Sequence, residues 1–245
     1  MESRYEGVVN RTADRAQVDE GLRQHMLRVY NYMCLGVGLT GAVAFATANT
    51  PALLSLFYAV GANGAVSPTI LGYAAMFAPL AFILVLSFGI NRLSASQAQL
   101  VFWVFAGTMG LSLTHIFLTF TGTSIARTFF ITAASFGALS LYGYTTKRDL
   151  RPLGAFLFMG LIGLLLAMLV NFFIASSALQ FAISVIGVLI FAGLTAYDTQ
   201  KIKEVYYAAD DSETAGKKAI MGAVTLYLDF VNLFLFLLHF LGNRE

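Results

Sequence analysis

Residues Ala219–Leu241 read AIMGAVTLYLDFVNLFLFLLHFL. These twenty-three residues carry one formal charge, on Asp229. At about 1.5 Å per residue, such a helix is long enough to cross a hydrocarbon core about 30 Å thick. Working back along the chain, six more runs of this kind appear, near Val29–Ala48, Ile70–Ile90, Ala98–Phe120, Thr128–Tyr144, Leu153–Ile174 and Leu179–Thr199. None alternates with the two-residue period of a barrel strand. The reading is an all-α membrane protein, a bundle of seven transmembrane helices.

Composition agrees. Of 245 residues 58% are hydrophobic and 11% charged, with a mean hydropathy of +0.75. Soluble domains carry about 25% charged residues, so soluble-enzyme classes are excluded. A net charge of +2, spread along the chain, makes no basic face and excludes nucleic acid as a partner. The lone Cys34 lies in an apolar run, which rules out an intrachain disulfide and cysteine-based metal sites. No organic cofactor is implied.

Residues 1–28 hold ten charges and no apolar core. They are expected to form a polar cytoplasmic tail, with residues 29–245 as the membrane domain, and not a cleaved signal peptide. Thirteen of the fifteen lysines and arginines fall on one side of the alternating loops, Arg4, Arg11, Arg15, Arg23 and Arg28 among them; Arg127 and Arg244 fall on the other. The excess places the amino terminus in the cytoplasm and the carboxyl terminus outside. No internal repeat is evident. Small residues at helix-contact spacing, Gly38 with Ala42, Ala134 with Ala138 and Gly160 near Leu164, are expected to let helices pack closely.

An ionisable group at the bilayer centre costs about 2.5–3.5 kcal/mol on insertion scales, so each asks for a reason. Two acids fall within the spans: Asp198, near the end of the sixth run, and Asp229, about halfway along the seventh. Their helices are antiparallel neighbours. Thr225 and Asn232 share the Asp229 face by i−4 and i+3 spacing, and Tyr197 adjoins Asp198; these three are the expected supporting residues. Two carboxylates about 4 Å apart repel by about 4 kcal/mol at an effective dielectric of about 20. Such a pair shares one proton, and once doubly ionised it attracts a hard cation, calcium above all. A structural alternative has Asp198 end the helix near water and pair with Lys201, one turn on.

These residues carry a family likeness. Tyr197-Asp198-Thr199-Gln200-Lys201-Ile202 and Leu226-Tyr227-Leu228-Asp229-Phe230-Val231-Asn232-Leu233-Phe234 resemble motifs of the Bax inhibitor-1 (transmembrane BAX inhibitor motif) family, bacterial branch. The stretch from Ser140 to Leu150, SLYGYTTKRDL, and the terminal Gly242-Asn243-Arg244 add to the likeness. The resemblance implies seven helices with the last in the middle. It also implies a pH-sensitive calcium leak of the bacterial inner membrane, not an enzyme, gated by two aspartates at positions matching Asp198 and Asp229. An arginine after the second helix, for which Arg92 is the candidate, would latch onto the sixth-helix aspartate. The family has a glutamate on its second helix, whereas Ile70–Ile90 contains no acid. The partners expected are calcium, protons and the lipid bilayer, in a monomer or weak oligomer.

A membrane-embedded regulator of a stress response or of a membrane protease, acting on a membrane-protein partner by contact, is the rival reading. It would use the polar tail and the Lys201–Lys218 loop and survive loss of Asp229. An intramembrane aspartyl protease places its second aspartate in a Gly-x-Gly-Asp turn followed by a proline segment; here Leu226-Tyr227-Leu228 precedes Asp229 and no proline follows Pro152. A retinal protein needs a lysine midway along the last helix, and none follows Lys218. His115 is expected to be a satisfied histidine within the bundle, His239 to be solvated, and Asn171 to hydrogen-bond across helices.

Overall fold

The structure is a computed structural model and describes residues 2–61 and 66–243. Arg244 and the side chains of Arg4, Arg11 and Arg15 lie outside the described residues. In chain order come α1 (Glu2–Asn49), a short α2 (Pro51–Phe57), and an antiparallel hairpin of β1 (Tyr58–Val60) and β2 (Val66–Pro68). Then follow α3 (Ile70–Gly89), α4 (Ala95–Leu113) continued by a 3₁₀ turn (Thr114–Leu118), α5 (Gly122–Thr145), α6 (Arg151–Ile174), α7 (Ser177–Val205) and α8 (Ser212–Leu241). All seven apolar runs are helices long and apolar enough to cross a membrane.

The helices outlast the apolar runs because their last turns carry polar residues. Lys201, Lys203 and Glu204 extend α7 beyond Thr199, and Ser212–Lys218 extend α8 backward from Ala219. Starts are fixed by side chains that accept from otherwise orphaned backbone N–H groups. Thr69 accepts from Gly72, Thr121 from Ser124, Ser176 from Leu179 and Asp211 from Thr214, while Ser94 and Gln97 form a reciprocal capping box. Hydrogen bonds from the Thr214 side chain and backbone hold the Asp211 carboxyl below the usual carboxylate range. The boundary expected between residues 28 and 29 coincides with no break, since α1 runs through it and His25 and Met26 are already buried.

α8 is the centre of the bundle. Within its apolar stretch 67% of residues are buried, against 17% to 39% in the other spans. It packs on α7, α1, α5 and α4. The other two spans do not complete a ring around it: α3 rests chiefly on α4, and α6 on α7. These two have the highest mean hydropathies, 2.2 and 2.6, and the lowest burial. They are apolar all round because most of their surface is offered to lipid.

Glycine sets the tightest approaches, but not at the glycines that spacing suggested. A Cβ on Gly143 of α5 would lie 2.2 Å from the Ala196 carbonyl oxygen of α7, and one on Gly36 of α1 would lie 2.7 Å from the Phe102 ring. A Cβ on Gly38 would meet nothing within 4 Å, and Ala42, Ala134 and Ala138 are exposed; one on Gly160 would meet Ile190. Spacing shows which small residues share a face, not which face meets another helix.

Hydroxyl groups then tie the close helices together. Thr199 donates to the Thr195 carbonyl (2.7 Å) and stands 2.9 Å from Ser140, which stands 2.6 Å from Tyr30. Each hydroxyl has one hydrogen, so Ser140 donates to Thr199 and Tyr30 to Ser140, a directed chain across α1, α5 and α7. By the same rule Thr40, which donates to the Ala106 carbonyl (2.8 Å), accepts from the fully buried Tyr227 at 2.6 Å. The Phe102 and Phe105 rings meet Tyr227 edge-on at 6.3 and 5.1 Å. Asn171 bridges α6 and α7 as expected, donating to Gln180 and accepting from the Ser176 N–H. His115 departs from expectation: it is exposed in the 3₁₀ turn, with Nδ1 2.9 Å from the Ser112 carbonyl oxygen. His239 is exposed and sets its ring against Phe120.

Gly143→Ala is expected to force α5 from α7 and destabilise by about 1–3 kcal/mol. Gly38→Ala, in open space, is expected to leave the thermal midpoint in detergent unchanged. Equal midpoints for the two variants would refute the close-approach account.

Candidate functional site

Two packing contacts set the register of α7 on α8. Ile202 meets the position of Gly222, and Gly187 that of Phe236. This register places Asp198 opposite Leu226, three residues from Asp229, an axial offset of about 4.5 Å. The sixth apolar run ends at Thr199, one residue beyond Asp198. Asp198 lies two turns inside α7 because that helix continues to Val205. Both acids are buried, at 9% and 4% exposure.

Their surroundings differ. Oδ2 of Asp229 is buried and has no hydrogen-bond partner among the described residues. Asp198 lies in the wall of a cavity of about 410 Å³ that also touches His25, Asn91, Lys201, Lys217, Lys218 and Thr225. Three of these are lysines, and two are engaged. Lys218 pairs with Asp210 and also donates to the Val205 carbonyl, while Lys217 pairs with Glu213 at 3.4 Å. Glu213 in turn accepts from the Ala95 N–H, joining the start of α8 to the start of α4. The alternative in which Asp198 pairs with Lys201 is not formed. Lys201 makes no ion pair among the described residues, and its ammonium lies over the Tyr197 ring, 6.0 Å from the centroid.

The supporting residues named from the sequence are arranged differently from one another. Thr225 lines the cavity and spends its hydroxyl hydrogen on the Met221 carbonyl. Asn232 donates to Leu228 of its own helix, at 2.8 Å. Tyr197 faces the other way, its ring against Gly154 of α6, where a Cβ would come within 2.4 Å. Adjacent helical residues point about 100° apart, so Tyr197 leaves the α7–α8 seam when Asp198 enters it. Arg92 stands in the exposed turn between α3 and α4, next to the cavity residue Asn91, and makes no ion pair among the described residues. Among the described residues no three His, Cys, Asp or Glu side chains gather as a metal cluster.

Two features escaped the sequence reading although all of their residues but Tyr30 lay within its motifs. One is the Tyr30–Ser140–Thr199 chain, which ends one residue from Asp198. The other is Gln200, which accepts from the Leu150 N–H and donates to the Arg148 carbonyl, clamping the α5–α6 connection to α7. Ser140, Thr199 and Gln200 are buried, and a buried polar group needs a partner, but that rule does not say which residue supplies it.

Residues 22–245 match the family model described as inhibitor of apoptosis-promoting Bax1. The chain belongs to the Bax inhibitor-1 family. It is 50% identical to an uncharacterized protein of Rickettsia prowazekii over 241 residues, 98% of each chain. It is 47% identical to an uncharacterized protein of Caulobacter vibrioides, covering 95% of each. It is 46% identical to the inner membrane protein YbhL of Escherichia coli over 227 residues, 92% of this chain and 94% of that one. The seven spans and these relatives make this family member a multi-pass protein of the inner membrane.

A carboxyl oxygen buried without a partner costs about 1–3 kcal/mol. Replacing buried ionisable groups with apolar ones of similar size is often stabilising by about 1–4 kcal/mol. Asp229→Leu is therefore expected to raise the thermal midpoint by several degrees. A midpoint lowered by the same amount would show Asp229 to be part of the packing scaffold.

Proposed function

We propose that the protein is a pH-sensitive calcium leak, a passive cation path in which Asp198 and Asp229 form both the proton sensor and the ion site. The observation that carries this reading is a pair of buried acids on neighbouring helices, one open to a cavity and the other with an oxygen unpartnered among the described residues. Ionising both carboxylates sets like charges against each other, about 3 kcal/mol at about 5 Å and an effective dielectric of about 20. Sharing one proton removes that repulsion and lets α7 and α8 close. With the proton gone, the pair is doubly negative and attracts a hard, oxygen-seeking cation as cargo. No bond is made or broken, so the protein acts as a path and not as an enzyme.

The amino terminus is taken as cytoplasmic, on the excess of basic residues at that end. The cavity over Asp198 then opens to the cytoplasm, and Asp229 sits deeper. Arg92 would latch the closed site: swung into the cavity beside Asn91, its guanidinium would pair with the one negative charge the acids keep while they share a proton, and hold the path shut. Thr225 on the cavity wall and Asn232 one turn beyond Asp229 offer oxygen atoms on the same helix. The rival contact regulator draws on the basic face as a whole and needs neither acid.

The test is calcium flux into liposomes holding the full chain, at pH 6 and pH 8. Wild-type flux is expected to change severalfold between the two. Asp198→Asn and Asp229→Asn are each expected to flatten that response. Arg92→Gln is expected to raise flux at pH 6, where the pair holds its shared proton and the latch would otherwise keep the path closed. Flux no greater than in empty liposomes at either pH would overturn the leak and leave the contact regulator.

A further inference from the structure

α1 and α5 flank α8 and do not pack closely on each other among the described residues; the Tyr30–Ser140 hydrogen bond bridges them. Between them lies a groove of about 690 Å³, walled by Met33, Cys34, Gly137 and Leu141 and backed by Phe136 and Phe230. Along α1 it runs from Arg23 to Cys34, and along α5 from Tyr144 to Ala133. Each stretch is twelve residues, about 16 Å of helix from first to last, or half of a hydrocarbon core about 30 Å thick. The groove is therefore as long as one leaflet. It lies within two membrane-spanning helices, so the medium beside it is lipid.

Its charge is at one end. Arg23 marks the end on the basic face, and its neighbour across the mouth, Tyr144, carries the Lys203 ammonium on its carbonyl oxygen and 5.3 Å from its ring centroid. The partner of Arg23 within the chain is Glu20 at 3.3 Å, an exposed i,i+3 pair with Arg23 65% exposed. Pairs of that kind are worth little and are readily exchanged for a phosphate. The hydroxyls in the wall are satisfied by one another and ask nothing of a ligand.

We propose that the α1–α5 groove is a binding site for one anionic phospholipid of the leaflet on the basic face, its acyl chain lying along Cys34, Gly137 and Phe136 and its phosphate on Arg23. The match is of length, polarity and charge together: an apolar slot one leaflet deep with cations at its headgroup end. Basic pockets between spans on one membrane side take anionic headgroups in this way. The lipid would supply the wall that α1 and α5 do not make and cover α8 at Phe230.

The test uses the full chain in detergent, with phosphatidylglycerol or phosphatidylcholine added at equal concentration and retained lipid counted by native mass spectrometry. The wild type is expected to retain one phosphatidylglycerol, about fivefold over phosphatidylcholine, the effect of one juxtamembrane cation. Arg23→Gln is expected to abolish that preference while still holding a lipid. Gly137→Leu is expected to reduce retention of both lipids, since the Gly137 Cβ position has open space around it and the added side chain fills the slot without displacing a neighbour. Circular dichroism checks that both variants remain helical. Equal retention of the two lipids by the wild type, or an unchanged preference in Arg23→Gln, would overturn the headgroup assignment. Undiminished retention by Gly137→Leu would overturn the groove, as would a wild-type dimer that this variant dissociates.

Discussion

In a bilayer a helix gains nothing by hiding its leucines, because lipid tails are as apolar as they are. The burial of α8 must therefore come from how closely its neighbours approach and from the polar bonds that closeness permits. α7 lies on α8 through Ile202 over Gly222, and α5 lies on α7 through Gly143 against Ala196. That second approach brings the Ser140 and Thr199 hydroxyls to 2.9 Å. With α1 joined at Tyr30, three helices are fastened around one side of the last span. α3 and α6 have no such fastenings to the centre, and their position outside α4 and α7 follows.

Against that frame Asp229 is a costly residue in a costly place. Its carboxyl sits in the most buried span, with one oxygen unpartnered among the described residues and a second acid about one helical turn away along the axis. A sequence under pressure for stability alone would put an apolar residue there. Residues that break the local packing rule are expected where function requires them, and here the breach is shared by two adjoining helices. The apolar stretch around it, from Leu226 to Leu238, satisfies the rule almost without exception.

Much of this was legible in the sequence because the bilayer imposes length. Seven runs of about twenty apolar residues gave seven helices, and two acids inside them stood out against an uncharged background. What spacing could not supply was rotation and depth. Gly38 and Ala42 share a helix face as readily as Gly36 does, but only Gly36 meets Phe102. Asp198 appeared to lie at a helix end because hydropathy falls away after Thr199, while the backbone continues as helix to Val205 on polar side chains. The Tyr30–Ser140–Thr199 chain joins residues up to 169 positions apart on three helices, and no local pattern foretells it.

The direction of that chain bears on where protons come from. It runs from Tyr30 through Ser140 and Thr199 and stops at a peptide carbonyl, Thr195, which accepts a hydrogen bond but hands nothing on. Although it passes beside Asp198, it is a dead end and not a wire. On the proposed reading, the cavity in whose wall Asp198 stands would be the route by which that carboxyl exchanges protons. A pair supplied in this way would answer to the acidity of one compartment and ignore the other.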